Sequence, residues 1–274
     1  MNIQSILTQT TWRVILNSQF SPKHNALASF ALDDTLCEMV GTKRSPATAR
    51  SWIHENTIVL GIQDSRLPNV QTGVEYLKQL GWNVVVRNSG GLAVVLDEGI
   101  YNLSLILHEK DNRLSIELGF ETMVALVKKM LSHFGISFQS GEIVGSYCPG
   151  RYDLSVDGKK FAGISQRRIR GGTAVQVYLC IDGSGSERAQ VIRRFYELAS
   201  NGDAQLYPPI VPETMASLEE LSQKNIRISD LNELLIQELK QFGDVIEEDL
   251  NEEETNLFQT YYRRVVERNR KLNC

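Results

Sequence analysis

Short β-branched runs that stop at glycine dominate the middle of this chain. They restrict it to folds that alternate strands with helices. Thr57-Ile58-Val59-Leu60 ends at Gly61, and Asn83-Val84-Val85-Val86-Arg87 runs into Asn88-Ser89-Gly90-Gly91. Leu92 to Leu96 and Tyr101 to Leu107 read as further strands, separated by a turn around Asp97 to Gly99. Apolar, β-branched runs of this length suit a buried pleated surface. Taken in order they predict a meander of strand, glycine-rich turn, strand, turn and strand. Asp157-Gly158, between two alternating segments, predicts a hairpin over 151–168. A two-residue turn there pairs Val156 with Lys159 and Leu154 with Phe161. It puts Asp153, Ser155 and Lys160 on one polar face, and Leu154, Val156 and Phe161 on the other. Thr173 to Ile181 reads as another strand.

Between these strands the period changes. Ala28, Leu32, Leu36 and Met39 recur at helical spacing over 25–40, with Asp33 and Asp34 on the other side. Residues 70–80, 118–134 and 187–199 are also helical, and Gly81 and Gly135 close the first two of these. From residue 226 the character shifts. One helix carries Leu231, Leu235 and Leu239, an acidic run spans Glu247 to Glu254, and a helix with a basic end covers Tyr261 to Lys271. The expectation is an α+β fold with a mixed, mostly antiparallel sheet packed by helices. A main domain would cover residues 1–225, with a small helical extension over 226–274.

Composition narrows the function. The net charge of −4 over 274 residues supplies no basic field for nucleic acid or anionic lipid. No apolar stretch approaches the ~20 residues that span a bilayer. The first residues lack a basic start followed by a continuous apolar core, so no export signal is expected and the cytoplasm is the expected compartment. Cysteines at 37, 148, 180 and 274 form no CxxC pair, and the histidines at 24, 54, 108 and 133 fall in separate elements. No metal site is expected.

Three segments contain residues suited to chemistry. In Arg87-Asn88-Ser89-Gly90-Gly91, paired glycines let the backbone approach a ligand, and exposed amides beside Arg87 would hold a carbonyl or phosphate oxygen. A plain glycine hairpin is the competing reading. Cys148 lies in the polar, glycine- and proline-flanked loop Gly145-Ser146-Tyr147-Cys148-Pro149-Gly150, where a thiol can meet a substrate. Cys180 instead sits in an apolar run, as a structural cysteine does. Lys160 lies on the hairpin, where most lysines are simply solvated; its functional reading is that an ammonium near a thiol favours the thiolate and orients an acyl carbonyl. A straight hairpin leaves the two about 20 Å apart at ~3.3 Å per residue, so the loop before Arg151 must fold back over the sheet. Arg167, Arg168 and Arg170 form a basic connection between strands, either solvated or a docking patch for an acidic partner.

Residues 25 to 200 resemble the lipoate–protein ligase and octanoyltransferase family. Arg87 through Val94, then Asp97, Gly99 and Asn102, resemble its Arg-x-x-Ser-Gly-Gly-Gly-Ala-Val…Asp-x-Gly-x-x-Asn signature. Gly150-Arg151-Tyr152-Asp153-Leu154, with Gly158-Lys159-Lys160-Phe161-Ala162-Gly163, resembles its Gly-Arg-x-Asp-Leu…Gly-x-Lys-Ile-x-Gly signature. The block from Gly145 to Leu154, followed by Ser165-Gln166-Arg167-Arg168, is similar to the branch that takes octanoyl from the glycine cleavage H protein. That branch passes the group to lipoyl domains of 2-oxoacid dehydrogenase E2 subunits. The resemblance implies Cys148 as the acyl-thioester nucleophile and Lys160 as the lysine at the acyl carbonyl. It implies Arg87, Ser89, Gly90, Gly91, Asp153 and Gly163 as acyl- or substrate-binding residues. Leu92 replaces the family's third glycine and Asn88 its second arginine. ATP-using ligases pack phosphates against that turn, so both departures agree with a thioester route that needs neither ATP nor metal. An octanoyl or lipoyl group is then a substrate, no cofactor is expected, and the enzyme is expected to act as a monomer. An ATP-dependent lipoate or octanoate ligase, an octanoyltransferase fed by acyl carrier protein, and a non-catalytic carrier-binding module are the competing readings.

Overall fold

The structure, a computed structural model, describes residues 3–16, 18–20, 22–23, 25–109 and 114–271. His24 and Cys274 lie outside the described residues. The first elements are α1 (Ile3–Leu7), β1 (Thr11–Leu16), α2 (Ala26–Gly41), β2 (Ala47–Trp52), β3 (Thr57–Leu60), α3 (Val70–Gln79), β4 (Asn83–Val86), β5 (Val94–Leu96) and β6 (Ile100–His108). Then follow α4 (Ile116–Ser132), β7 (Gln139–Ser140), β8 (Leu154–Val156), β9 (Lys159–Ile169), β10 (Gly172–Cys180) and α5 (Gly185–Ala199). The chain ends with α6 (Leu218–Ser222), α7 (Ile228–Leu239), β11 (Asp244–Glu247) and α8 (Glu252–Lys271).

Eight strands form one mixed sheet in the order β11-β1-β2-β6-β10-β9-β8-β7. The pairs β11–β1 and β1–β2 are parallel and the rest are antiparallel. A second sheet has the order β4-β3-β5. This corrects the expected meander. The glycine-rich segment does not join neighbouring strands, because β3 lies between β4 and β5, and β6 belongs to the other sheet. The cause is the crossover: β3, α3 and β4 form a strand–helix–strand unit, which sets β3 and β4 parallel. The turn after β4 therefore has to pass over the end of β3.

Alternation along β6 and β10 assigns their two faces. Leu103, Leu105, Val175 and Leu179 join the main core with Met123, Leu126 and Met130 of α4 and Leu231 and Leu235 of α7. Ile106 and Ala174, paired across the strands, join a second cluster with Leu32 and Leu36 of α2 and Phe258, Tyr261 and Val265 of α8. Helix α2 is thus covered on both sides, and Asp33 and Asp34 do not face solvent as the helical pattern predicts. They are buried. Asp33 pairs with the buried Arg50 and accepts from Ser104 Oγ at 2.8 Å and Gln176 Nε2 at 2.6 Å. Asp34 holds Arg167 Nε at 2.7 Å. Burying a charge is costly unless it is paired, and both carboxylates are.

The hairpin turns at Asp157 and Gly158 with φ of 49° and 76°, and Val156 pairs with Lys159. Ser155 then pairs with Lys160, and at the next step the pairing departs from expectation. A bulge between Leu154 and Ser155 sets Leu154 opposite Ala162 instead of Phe161. Arg167 and Arg168 lie inside β9, and the turn to β10 is Arg170-Gly171, with φ of 53° and 81°. After residue 226 the chain adds β11 to the edge of the large sheet beside β1 and lays α8 on α2.

Candidate active site

A cavity of about 630 Å³ opens between the large sheet, the β3–β5 sheet and the first turn of α4. Its inner wall is apolar and buried, with Phe30, Trp52, Val59 and Leu96 all under a tenth exposed. Its outer rim carries the exposed residues Gly90, Ile116 and Arg151. Arg87, Ser89, Gly90, Gly91, Cys148, Asp153 and Gly163 all line it. Lys160 does not. It lies behind the cysteine loop, with no exposed surface. It shares its face with Ser155 and Asp153, as expected, but that face is covered rather than a polar surface.

The loop folds back as the required geometry demands, and Lys160 is the reason. Its ammonium has three donors. They reach Cys148 O at 2.8 Å, Tyr147 O at 3.0 Å and Asp153 Oδ1 at 3.0 Å, with Ser146 Oγ at 3.4 Å. Asp153 Oδ2 accepts the amides of Gly150 at 3.1 Å and Ile143 at 3.4 Å. Burial pushes the Asp153 carboxyl above its ordinary range, and the Lys160 ammonium opposes that rise. Two side chains therefore hold both ends of the loop from beneath. Cys148 itself adopts φ of 46°, a left-handed conformation that is uncommon for a residue with a side chain.

The Cys148 sulfur meets the glycine turn. Leu92 N donates to Sγ at 3.2 Å, and Arg87 Nη2 lies 3.6 Å from it. Arg87 Nη2 also donates to Leu92 O at 2.6 Å. Gly91 has φ of 109°, and a Cβ there would overlap the Arg87 guanidinium and lie 3.2 Å from Sγ. Only glycine fits this approach. A Cβ on Gly163 would come within 2.8 Å of the Tyr178 ring, which lines the same cavity. The buried Ser89 Oγ has no partner among the described residues, so a donor or acceptor in the cavity is left for a ligand.

Several positioning residues escaped the sequence reading. Asn269 of α8 accepts from Val86 N at 2.7 Å and donates to Val86 O at 3.0 Å, just before Arg87. Asn88 Nδ2 donates to Asp34 Oδ2 at 2.8 Å. Tyr196 OH accepts from Ala93 N at 3.1 Å and donates to Asp64 Oδ1 at 2.8 Å. Burial pushes the Asp64 carboxyl up, opposed by the Gly61 amide and the Tyr196 hydroxyl. These partners come from distant segments, and no local pattern marks them. Arg167 and Arg168 point to Asp34 and Glu109, whereas Arg170 is exposed. Among the described residues no group of three His, Cys, Asp or Glu side chains is placed to hold a metal ion, and no helix is long and apolar enough to cross a membrane.

The family model for the lipoyl protein ligase A/B catalytic domain matches residues 25–240. The chain is 53% identical to the octanoyl-[GcvH]:protein N-octanoyltransferase of Bacillus velezensis, over 97% of this chain and 95% of that one. It is 46% identical to the lipoyl-[GcvH]:protein N-lipoyltransferase of Listeria monocytogenes, over 99% of both. Among solved structures it is similar to lipoate-protein ligase A bound with ATP (TM-score 0.73, 18% identity, 92% of this chain and 94% of that one). It is also similar to a bi-partite lipoate protein ligase from Thermoplasma acidophilum (TM-score 0.69, 18% identity, 93% and 92%). At that identity the two structures establish the shared α+β fold.

Proposed function

The chain belongs to the lipoyl protein ligase A/B catalytic domain family, and from that premise we propose that it is an acyltransferase working through a thioester on Cys148. It takes an octanoyl or lipoyl group from the glycine cleavage H protein and passes it to lysines of the lipoyl domains of 2-oxoacid dehydrogenase E2 subunits. Relatives of about half identity over nearly the whole chain carry the donor and the reaction in their names. The single observation that supports the covalent route is the Cys148 sulfur at the wall of the cavity, against the Leu92 amide.

Each part of the site has a task. The apolar inner wall takes the acyl chain, at about 0.8 kcal/mol per buried CH₂. The Cys148 thiolate attacks the acyl-lysine carbonyl, and amide donors of the glycine turn stabilise the oxyanion. The carbon–nitrogen bond breaks, and the donor lysine departs as a protonated amine. The acceptor lysine then attacks the thioester and frees the sulfur. Lys160 serves by fixing the Tyr147 and Cys148 carbonyls. One amide replaces another, so the exchange needs no nucleotide and no metal. A thiol used this way suits a reducing compartment, the cytoplasm, and one copy of the chain contains the whole site.

Mixing the enzyme with octanoylated H protein and measuring intact mass tests this reading. A gain of one octanoyl group, mapped to Cys148 and absent in Cys148→Ser, is the expected result. Acyl-dependent pyrophosphate exchange without an adduct would point to the ATP-dependent ligase instead.

A further inference from the structure

Arg87 is a buried guanidinium that makes no ion pair among the described residues; the buried Asp64 feels its charge but is bound to the Gly61 amide and the Tyr196 hydroxyl. Arg13 pairs with Glu254, Arg50 with Asp33, Arg167 with Asp34 and Arg188 with Asp97, whereas Arg87 has no carboxylate within 4.0 Å among the described residues. It is only 7% exposed, and its Nε has no partner. A desolvated charge in that state is costly unless an anion comes to it. Besides the Leu92 carbonyl, its Nη2 reaches the Cys148 sulfur at 3.6 Å.

Lys160 cannot play that part in this arrangement. Its three donors are committed to Asp153 Oδ1, Tyr147 O and Cys148 O. Asp153 already neutralises it. The sulfur's donors are Leu92 N and Arg87.

We propose that Arg87 is a catalytic residue, the counter-ion of the Cys148 thiolate, with the Leu92 amide as its partner and Lys160 confined to holding the loop. The inference rests on Cys148 being the nucleophile. The thiol loses its proton to solvent, and the resulting anion sits between Leu92 N–H and the guanidinium. Its electron pair forms the sulfur–carbon bond, the carbon–nitrogen bond breaks, and the departing lysine nitrogen takes a proton from solvent. When the neutral acceptor amine attacks, the new carbon–nitrogen bond forms and its nitrogen gives a proton to solvent, while the carbon–sulfur bond breaks and the pair returns to sulfur. Arg87 thus favours the enzyme both before acylation and at the moment of thioester cleavage, since the anion appears at both points.

Reaction of Cys148 with iodoacetamide tests this without any acyl donor. The titratable and charged groups around the sulfur are Arg87 from the end of β4, Lys160 and Asp153 from the hairpin, Tyr178 from β10, and Tyr196 from α5 with its partner Asp64. Arg87→Gln removes the first, and with it one of the groups that oppose the burial-driven rise of Asp64. An opposite charge at this range favours the ionised form of its neighbour. At neutral pH Arg87→Gln should therefore alkylate about tenfold more slowly or worse, with the gap closing at alkaline pH. Arg87→Lys keeps a cation and should stay within about threefold of wild type. An Arg87→Gln rate equal to wild type overturns the proposal. So does a tenfold loss in Arg87→Lys, which remains decisive if the glutamine variant does not fold. The acyl adduct on wild-type enzyme is a separate readout. Its absence removes the thioester route, whereas a normal adduct with unchanged alkylation in Arg87→Gln removes only the role of Arg87.

Discussion

Two segments meet at the Cys148 sulfur, and they are held in opposite ways. The loop from Ser146 to Asp153 is fastened by its own hairpin: Lys160 lies only 12 residues beyond Cys148 in sequence. The fastening is one buried ion pair, Lys160 to Asp153, with backbone bonds radiating from it. The turn from Arg87 to Leu92 is fastened from across the chain. Asn269 reaches Val86 over 183 residues, Asn88 reaches Asp34 over 54, and Tyr196 reaches Ala93 over 103. Each is a separate hydrogen-bonded contact. A concentrated anchor fails at a single point, and a distributed one loses strength by degrees. The Cys148 sulfur belongs to the first, and the groups that reach it, Leu92 N and Arg87 Nη2, belong to the second.

Lys160→Met should cause the largest damage. Removing one partner of a buried ion pair strands the other, at about 3 kcal/mol or more. A chain of this size loses about 2–4 °C per kcal/mol, so thermal melting should fall by about 10 °C. The deficit also depends on pH with a definite sign. Burial already raises the Asp153 carboxyl, and without Lys160 nothing cationic opposes the rise. The native state then holds that proton more tightly than the unfolded state, so stability falls as pH rises through the raised value. The melting deficit should therefore shrink in acid and widen towards neutral pH. A deficit independent of pH would show that the pair is not the anchor.

The same contrast explains what the sequence could reveal. The hairpin was legible because Asp157-Gly158 is a local signal, and its first pair, Val156 with Lys159, follows from turn length alone. The bulge at Leu154 was not, since a two-residue period contains no mark for an extra residue. Lys160 shares a face with Asp153 and Ser155, as the turn length implies, but its burial was not legible. It is buried because carbonyls of the folded-back loop supply its acceptors, and backbone acceptors leave no trace in residue type. The strands β3, β4 and β5 were each visible, yet their pairing was misjudged. The helix between Thr57–Leu60 and Asn83–Val86 signalled a parallel crossover, and that outweighs adjacency in sequence. The burial of Asp33 and Asp34 was not legible, because the pattern of one helix cannot show the partners that the large sheet brings to it: Arg50, Ser104, Gln176 and Arg167. β11 has four residues and ends at Glu247, where the acidic run begins.

Asn269→Ala should come second. It leaves the buried N–H and C=O of Val86 without their partner, a loss of about 2 kcal/mol and about 4–8 °C in melting. Arg87 follows Val86 directly, so acyl-enzyme formation should slow as well. Asn269→Asp keeps the acceptor for Val86 N but loses the donor to Val86 O, and should fall between the two. Equal melting for Asn269→Ala and wild type would detach α8 from the site.

Asn88→Ala is the smallest break. It removes one half-buried hydrogen bond to Asp34, and Arg167 still holds that carboxylate, so about 1 kcal/mol and about 2–4 °C are at stake. Burial already pushes the Asp34 carboxyl up against the pull of Arg167. Asn88→Asp would set a second carboxylate beside it, and like charges at this spacing disfavour one another's ionised form. The aspartate variant should therefore melt below the alanine variant at neutral pH, and the two should converge in acid, where the added carboxyl takes up a proton. If alanine proved the worse at neutral pH, the turn would depend on Asn88 for more than its bond to α2, and its anchoring would be as concentrated as that of the cysteine loop.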